Sequence, residues 1–244
     1  MKWLNILGLV TVITVNALAN ILPINGMSTG QVASMYPNLF TPASITFSIW
    51  TVIYLLLTGF CISPFISRDS KKAESISRLF LITCLLNSSW ILTWHHLLIE
   101  WSLIIMILLL VILSMIYVKI HTKPPNSTRE KWLVHKPFSI YLAWISVATI
   151  ANTAALLSAY GFSSTSPENW VIAMIIATQL LVYLISKKYQ DIAFALVMIW
   201  ALIGIIIKRT DIEPVFQPII IACILAIIFD AWVALHYRYK KTLT

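Results

Sequence analysis

The residues of this chain with most capacity for chemistry are few, and most of them sit inside apolar runs. His95, His96 and Glu100 offer the imidazole and carboxylate donors that metal and haem-iron sites use. His96 and Glu100 fall four residues apart and would share a helix face, but a turn is expected between them, and adjacent histidines project in different directions. The plainer reading puts these residues at a membrane interface, with Trp94 and Trp101 as aromatic anchors. Asp230 is the one acid well inside an apolar span; it either couples a proton or cation, or reaches a partner such as Tyr237 or Arg238 by snorkelling. Cys61, Cys84 and Cys223 also lie in apolar runs, without metal-ligand spacing, and read as small packing residues. No nucleophile–base pair, carboxylate dyad or metal cluster is visible, so binding rather than catalysis is expected, with no metal site and no required cofactor. No lysine sits mid-span, which removes the attachment point of a retinal Schiff base.

A second set of residues is better suited to recognition. Trp50 and Tyr54 fall at i, i+4, as do Trp90 and Trp94, while Trp144, Ala148 and Asn152 form a similar stripe. Asn87 precedes Trp90 by three residues, and Asn16 and Asn20 share a face of the first apolar run. An amide in lipid needs a polar partner, so these asparagines should face a protein interior or a cavity. Trp supplies a broad flat face and one donor, a suitable wall for a flat ligand. The alternative is helix packing alone, with Trp and Asn joining helices and small residues permitting close approach.

The elements that must position these groups follow from composition. Of 244 residues, 59% are hydrophobic and 11% charged, and mean hydropathy is +0.88. A soluble domain of this size could not hide so much apolar surface. Apolar runs of membrane-crossing length imply an all-α, polytopic transmembrane bundle rather than a barrel of alternating strands. Eight spans are expected: 3–22, 43–66, 78–97, 101–119, 138–158, 169–186, 191–208 and 216–236.

The net charge of +8 could suggest nucleic acid, but its distribution argues for membrane topology instead. Fifteen of the 17 Lys and Arg residues fall on one side of an eight-span chain: Lys2; Arg68, Lys71, Lys72 and Arg78; Lys119, Lys123, Arg129, Lys131 and Lys136; Lys187 and Lys188; Arg238, Lys240 and Lys241. Lys208 and Arg209, beside Asp211 and Glu213, fall on the other. This asymmetry predicts a multi-pass protein of the cytoplasmic membrane with both termini cytoplasmic. A cleavable signal at Ala17-Leu18-Ala19 is the competing reading of the first span, and would leave seven. The sequon at Asn126 falls in a loop assigned to the inside.

Segment 23–42 carries no charge, contains Pro23, Gly26, Gly30, Pro37 and Pro42, and is too apolar for an ordinary solvated loop. It is expected either to fold over the bundle mouth as a lid, with Tyr36, Phe40 and Pro42 at the entrance, or to rest in the lipid interface. The basic loop 120–137, with Pro124-Pro125, is the best linker candidate and should lie near anionic headgroups. No internal repeat is evident.

The stretch Pro42…Trp50-x-x-x-Tyr54, the pair Asn87-x-x-Trp90 and the run Tyr141-Leu-Ala-Trp144-x-x-x-Ala148-x-x-x-Asn152 resemble, in order and spacing, the second, third and fifth helices of the TspO/MBR family of tryptophan-rich sensory, or translocator, proteins. The resemblance covers roughly residues 1–158, a five-helix transmembrane unit; residues 159–244 would add three helices and a basic tail. It implies a pocket beneath the first loop that binds porphyrins, haem or sterols. Trp50, Tyr54, Asn87, Trp90, Trp94, Tyr141, Trp144, Ala148 and Asn152 are expected to line or support it. The departures are local. The family's Trp-x-Pro-Pro-x-x-Trp-like entrance is Leu39-Phe-Thr-Pro42-Ala-Ser-Ile45 here, and its fifth-helix Pro-Tyr is Ile140-Tyr141. Bacterial members have been associated with tetrapyrrole breakdown, which nothing in these residues independently supports.

The expected function is binding of a flat hydrophobic molecule, porphyrin-, haem- or sterol-like, for sensing or translocation, with a tetrapyrrole entering as ligand only. The alternatives are a secondary transporter of a small amphipathic metabolite coupled through Asp230, or a scaffold whose tryptophans only pack helices. Expected partners are the lipid bilayer and a hydrophobic small molecule, with a homodimer left open and no nucleic acid.

Overall fold

A computed structural model describes residues 1–62, 70–162, 166–211 and 216–243, with the backbone alone at 70–72 and 238–243. The side chains of Arg68, Lys71, Lys72, Glu213, Arg238, Lys240 and Lys241 lie outside the described residues, and with them the snorkelling partner Arg238.

The helices are α1 (Lys2–Ile21), α2 (Thr29–Ser34), α3 (Ile49–Ile62), α4 (Ser70–His95), α5 (Ile99–Ile120), α6 (Thr128–Glu130), α7 (Lys136–Ala159), α8 (Pro167–Tyr189), α9 (Ile192–Thr210) and α10 (Gln217–Leu243). All but α2 belong to stretches long and apolar enough to cross a membrane, with α6 and α7 in one stretch, Thr128–Ala159; among the described residues there are eight, as the hydropathy pattern predicts. Leu55, Leu85, Ile176 and Leu225 are among many apolar side chains left on the outside, where lipid is the solvent.

Local chemistry explains where the elements begin. Pro42 keeps the chain extended, and a 3-10 turn, Ser44–Ser48, leads into α3. A widened turn, Lys131–His135, precedes α7, with the Lys136 N–H bonded to the Lys131 carbonyl five residues back. Pro137 follows at the start of α7, where its missing N–H leaves no gap in the ladder. Leu97, at φ +61°, makes the break between α4 and α5 that the sequence placed between His96 and Glu100.

The bundle centres on α7 and α9, the spans with the largest buried share. α7 packs against α5, α3 and α9; α4 packs against α1 and α5; α8 and α10 complete the layer around α9. α9 also grips the lead-in to α3. The Ala43 N–H donates to the Gly204 carbonyl at 2.9 Å, and the Trp200 indole donates to the Thr46 carbonyl at 2.9 Å. A Cβ at Gly204 would stand 2.9 Å from the Cβ and Cγ2 of Thr46 and closer still to its hydroxyl, so glycine is what permits this approach.

The four deep asparagines each find a polar partner on another helix. Asn5 donates to Ser77 at 3.1 Å, Asn16 to Asn87 at 2.9 Å, and Asn87 to the Tyr141 hydroxyl at 2.9 Å. Asn152 pairs with Ser102 at 3.0 Å. At the end of the bundle opposite the lid, buried Asp191 caps α9 through the Ala193 N–H, accepts from the Tyr117 hydroxyl at 3.0 Å and pairs with Lys136 at 3.4 Å.

Candidate functional site

Segment 23–42 folds over the mouth of the bundle. A 3-10 turn at Ile24–Gly26 uses left-handed backbone at Asn25 and Gly26, and α2 starts on a reciprocal Ser28–Gln31 capping box. The chain then descends through Phe40, Thr41 and Pro42, all buried. Asn38 fixes that descent by accepting from the N–H groups of Phe40 and Thr41 and from the Thr41 hydroxyl.

The end of α4 holds the lid, which corrects the interfacial reading of Trp94 and His95. Both are buried, His95 completely. His95 Nδ1 lies 3.1 Å from the Ile24 carbonyl and must carry the proton there, since a carbonyl only accepts; Nε2 faces the Thr29 hydroxyl at 3.0 Å. The Trp94 indole donates to the Thr29 carbonyl at 3.3 Å, and Asn25 donates to the His95 carbonyl at 3.1 Å. His96 is exposed, and no group of three or more potential ligands able to hold a metal occurs among the described residues.

Beneath the lid the aromatic stripes converge. Tyr54, Trp50, Trp90 and Trp94 form a near-parallel series, with successive centroids 5.5, 6.4 and 6.0 Å apart and interplanar angles of 21 to 29°. Trp144 stands edge-on to Trp50 at 6.4 Å, and Phe47 edge-on to Trp144 at 5.8 Å. These rings enclose a cavity of about 40 Å³ lined by Trp50, Trp90, Trp94, Trp144, Ala148 and Asn152 from the predicted set, with Pro42 from the entrance. The indole N–H groups of Trp90 and Trp144 are buried there without a hydrogen-bond partner among the described residues, as is the nearby Tyr54 hydroxyl.

The remaining predicted residues lie elsewhere. Asn87 does not reach the cavity, because both ends of its amide are engaged by Asn16 and Tyr141. Tyr141 is buried behind Trp50 at 5.9 Å. Tyr54 opens instead onto a groove of about 490 Å³ between α1, α2 and α3, which shares Thr29, Phe47 and Trp50 with the cavity. Tyr36 rests on Trp94 at 6.0 Å, and Tyr36 and Phe40 face the far side of the lid. Burial, and then the Glu100 carboxylate, raise the Tyr36 phenol above its ordinary range.

Sequence reasoning missed Thr29, Ala33, Thr41, Phe47, Val147, Ala151 and Ala155, all of which line the cavity. Ala151 and Ala155 extend the Trp144–Ala148 stripe at helical spacing, and that signal could have found them. Nothing local marks the lid residues.

A family model described as TSPO-like protein matches residues 2–235. The chain belongs to the TSPO-like protein family. No curated protein and no solved structure matches it. The match crosses residue 158 and takes in α8, α9 and most of α10, beyond the stretch over which the Trp and Asn motifs carried the resemblance. This TSPO-like chain is an integral membrane protein. Trp200 of α9 bonds to Thr46, just after the entrance stretch Leu39–Ile45, and does not line the aromatic cavity. Asp230 is fully buried rather than snorkelled, with Gln179 of α8 as its polar neighbour, and it lines neither the aromatic cavity nor the groove beside it.

Proposed function

We propose that this TSPO-like protein binds a flat hydrophobic small molecule, of porphyrin-, haem- or sterol-like class, in the aromatic cavity, for sensing or translocation and without making or breaking a bond. One observation carries the reading: four indoles from three helices meet at one cavity, and two of their N–H groups have no partner among the described residues. An unpaired buried donor costs about 1–3 kcal/mol, so a ligand with acceptor atoms at its edge would relieve a penalty already present in the empty protein.

The site as it stands is small. Its volume of about 40 Å³ has room for about three waters, whereas ligand pockets span roughly 300–1,000 Å³. Binding therefore requires movement. The lid is held by neutral hydrogen bonds worth about 0.5–1.5 kcal/mol each, an accessible barrier to opening. The groove between α1 and α3 offers a lateral route, with Phe47 as the partition between groove and cavity. By the distribution of basic residues, the lid end faces outward and both termini are cytoplasmic.

The direct test is titration of the protein in nanodiscs with protoporphyrin, following tryptophan fluorescence. Saturable quenching is expected, abolished by Ala148→Phe, which fills the cavity. Absence of saturable quenching, or quenching indifferent to that substitution, would count against the proposal. A second reading, transport coupled through Asp230, draws on the complete burial of that carboxyl, with Gln179 as its polar neighbour and no ion-pair partner among the described residues. It requires proton-dependent uptake by vesicles that Asp230→Asn abolishes.

A further inference from the structure

The lid has a second face, and it closes a different site. Between segment 33–41, the end of α7, the start of α8 and the end of α9 lies a groove of about 560 Å³, a volume within the range of small-molecule pockets. Its lining includes the apolar Trp170 and Met174 of α8, Phe162, packed 5.8 Å from Trp170, and Phe216. Lys208 and Arg209 line the same groove. Among the described residues, no carboxylate lines the groove. Glu100 is occupied elsewhere, accepting from the Tyr160 hydroxyl at 2.8 Å, and Asp211 is exposed outside the groove.

Arg209 is the informative residue. It is 96% buried, at 4% relative exposure, and its Nε has no hydrogen-bond partner among the described residues. A guanidinium keeps its charge, and burying one without an anion costs several kcal/mol. A packed protein holds such a group where something else supplies the negative charge. The apolar residues that share the groove do not suit a bare inorganic ion, because such an ion would leave the aromatic surface uncovered.

We propose that this groove is a binding site for an amphipathic anion. Its carboxylate or phosphate head pairs with Arg209 and Lys208, and a compact apolar body lies against Trp170 and Phe162. The site is separate from the aromatic cavity, although Ala33 and Thr41 of the lid line both. It depends on α8 and α9, and so on the part of the chain that carries none of the Trp and Asn motifs.

The test uses the full chain in phosphatidylcholine nanodiscs, with equilibrium dialysis of 2-naphthoate, 2-naphthyl phosphate and neutral 2-naphthamide against empty discs as reference. The anions should bind saturably and at least about tenfold more tightly than the amide, the factor expected of a charge-assisted pair with arginine. Arg209→Gln should remove that preference. Lys208→Gln, at a half-buried position and so of little consequence for folding, should weaken it several-fold. Ala148→Phe should leave it intact, which separates this site from the cavity. Repetition in discs containing phosphatidylglycerol identifies the source of the head: lost naphthoate binding means that a lipid phosphate occupies the groove, and unchanged binding means a free solute. Equal affinity for the amide, no saturable binding, or binding that survives both substitutions would overturn the proposal.

Discussion

Replacing Gly204 with alanine should destabilise the whole bundle, because the close approach of α9 to the lead-in of α3 has no room for a methyl group. The new Cβ would stand 2.9 Å from the Cβ and Cγ2 of Thr46, inside any tolerable carbon contact. Relief requires α9 and the 3-10 turn to separate. That strains packing by about 1–3 kcal/mol and weakens the Ala43–Gly204 hydrogen bond, worth about 1 kcal/mol. A total near 2–4 kcal/mol corresponds to a fall in Tm of roughly 5–15 °C on the scale of soluble domains of this size. The three cysteines are free and buried, so a thiol-reactive dye reports unfolding directly. Thr46→Gly should restore most of the loss in the double variant. The Thr46 hydroxyl is buried without a hydrogen-bond partner among the described residues, so its removal breaks none of the bonds described. Phe47 follows Thr46 and lines the aromatic cavity, so the alanine variant should also bind ligand more weakly. A Tm within about 2 °C of the parent, or no rescue by Thr46→Gly, would refute the reasoning.

Three further outcomes are expected. Asn87→Leu leaves the Asn16 amide and the Tyr141 hydroxyl without their partner, so it should lower stability by about 1–3 kcal/mol, and the Asn16→Ala, Asn87→Leu pair should be clearly less than additive in a double-mutant cycle. His95→Ala removes two hydrogen bonds that hold the lid, and amides of residues 24–34 should exchange roughly tenfold or more faster while the core of α7 is unaffected; unchanged exchange there would remove His95 as the clamp. The Tyr160 phenol is raised above its ordinary range by its hydrogen bond to Glu100 and by that carboxylate's charge. The contact is therefore fully present below the ordinary tyrosine range and lost as pH rises through the elevated value. In a difference titration against Tyr160→Phe, Glu100→Gln should bring the phenolate transition down.

Much of the architecture was legible because it depends on short-range pattern. Apolar runs of membrane length, separated by short basic or proline-bearing breaks, specify eight spans whatever their arrangement. Within a span, i, i+4 spacing places Trp50 with Tyr54, and Trp144 with Ala148, on one face. The buried amides announced that each needs a polar partner, but not which one. Asn87 could have faced a ligand or another helix, and the meeting of α1, α4 and α7 decided for Asn16 and Tyr141. His95 and Trp94 looked interfacial because they end a span. The lid covering that end, a fold-back across about seventy positions, buries them. Trp200 and Gly204 gave no local signal at all, since the lead-in they grip lies 154 residues away from Trp200.

The sequence by itself determined that the chain is a helical membrane protein and that its tryptophan and asparagine stripes face inward, because hydropathy and the cost of unpaired polar groups in lipid act on each helix separately. Only the tertiary structure decided that the stripes meet at one small cavity, that the lid lines it, and that α8 and α9 build a cationic groove that lid residues also line. Those outcomes depend on contacts between segments far apart in the chain. Such contacts are set by mutual fit of side chains at helix crossings, which no single segment encodes.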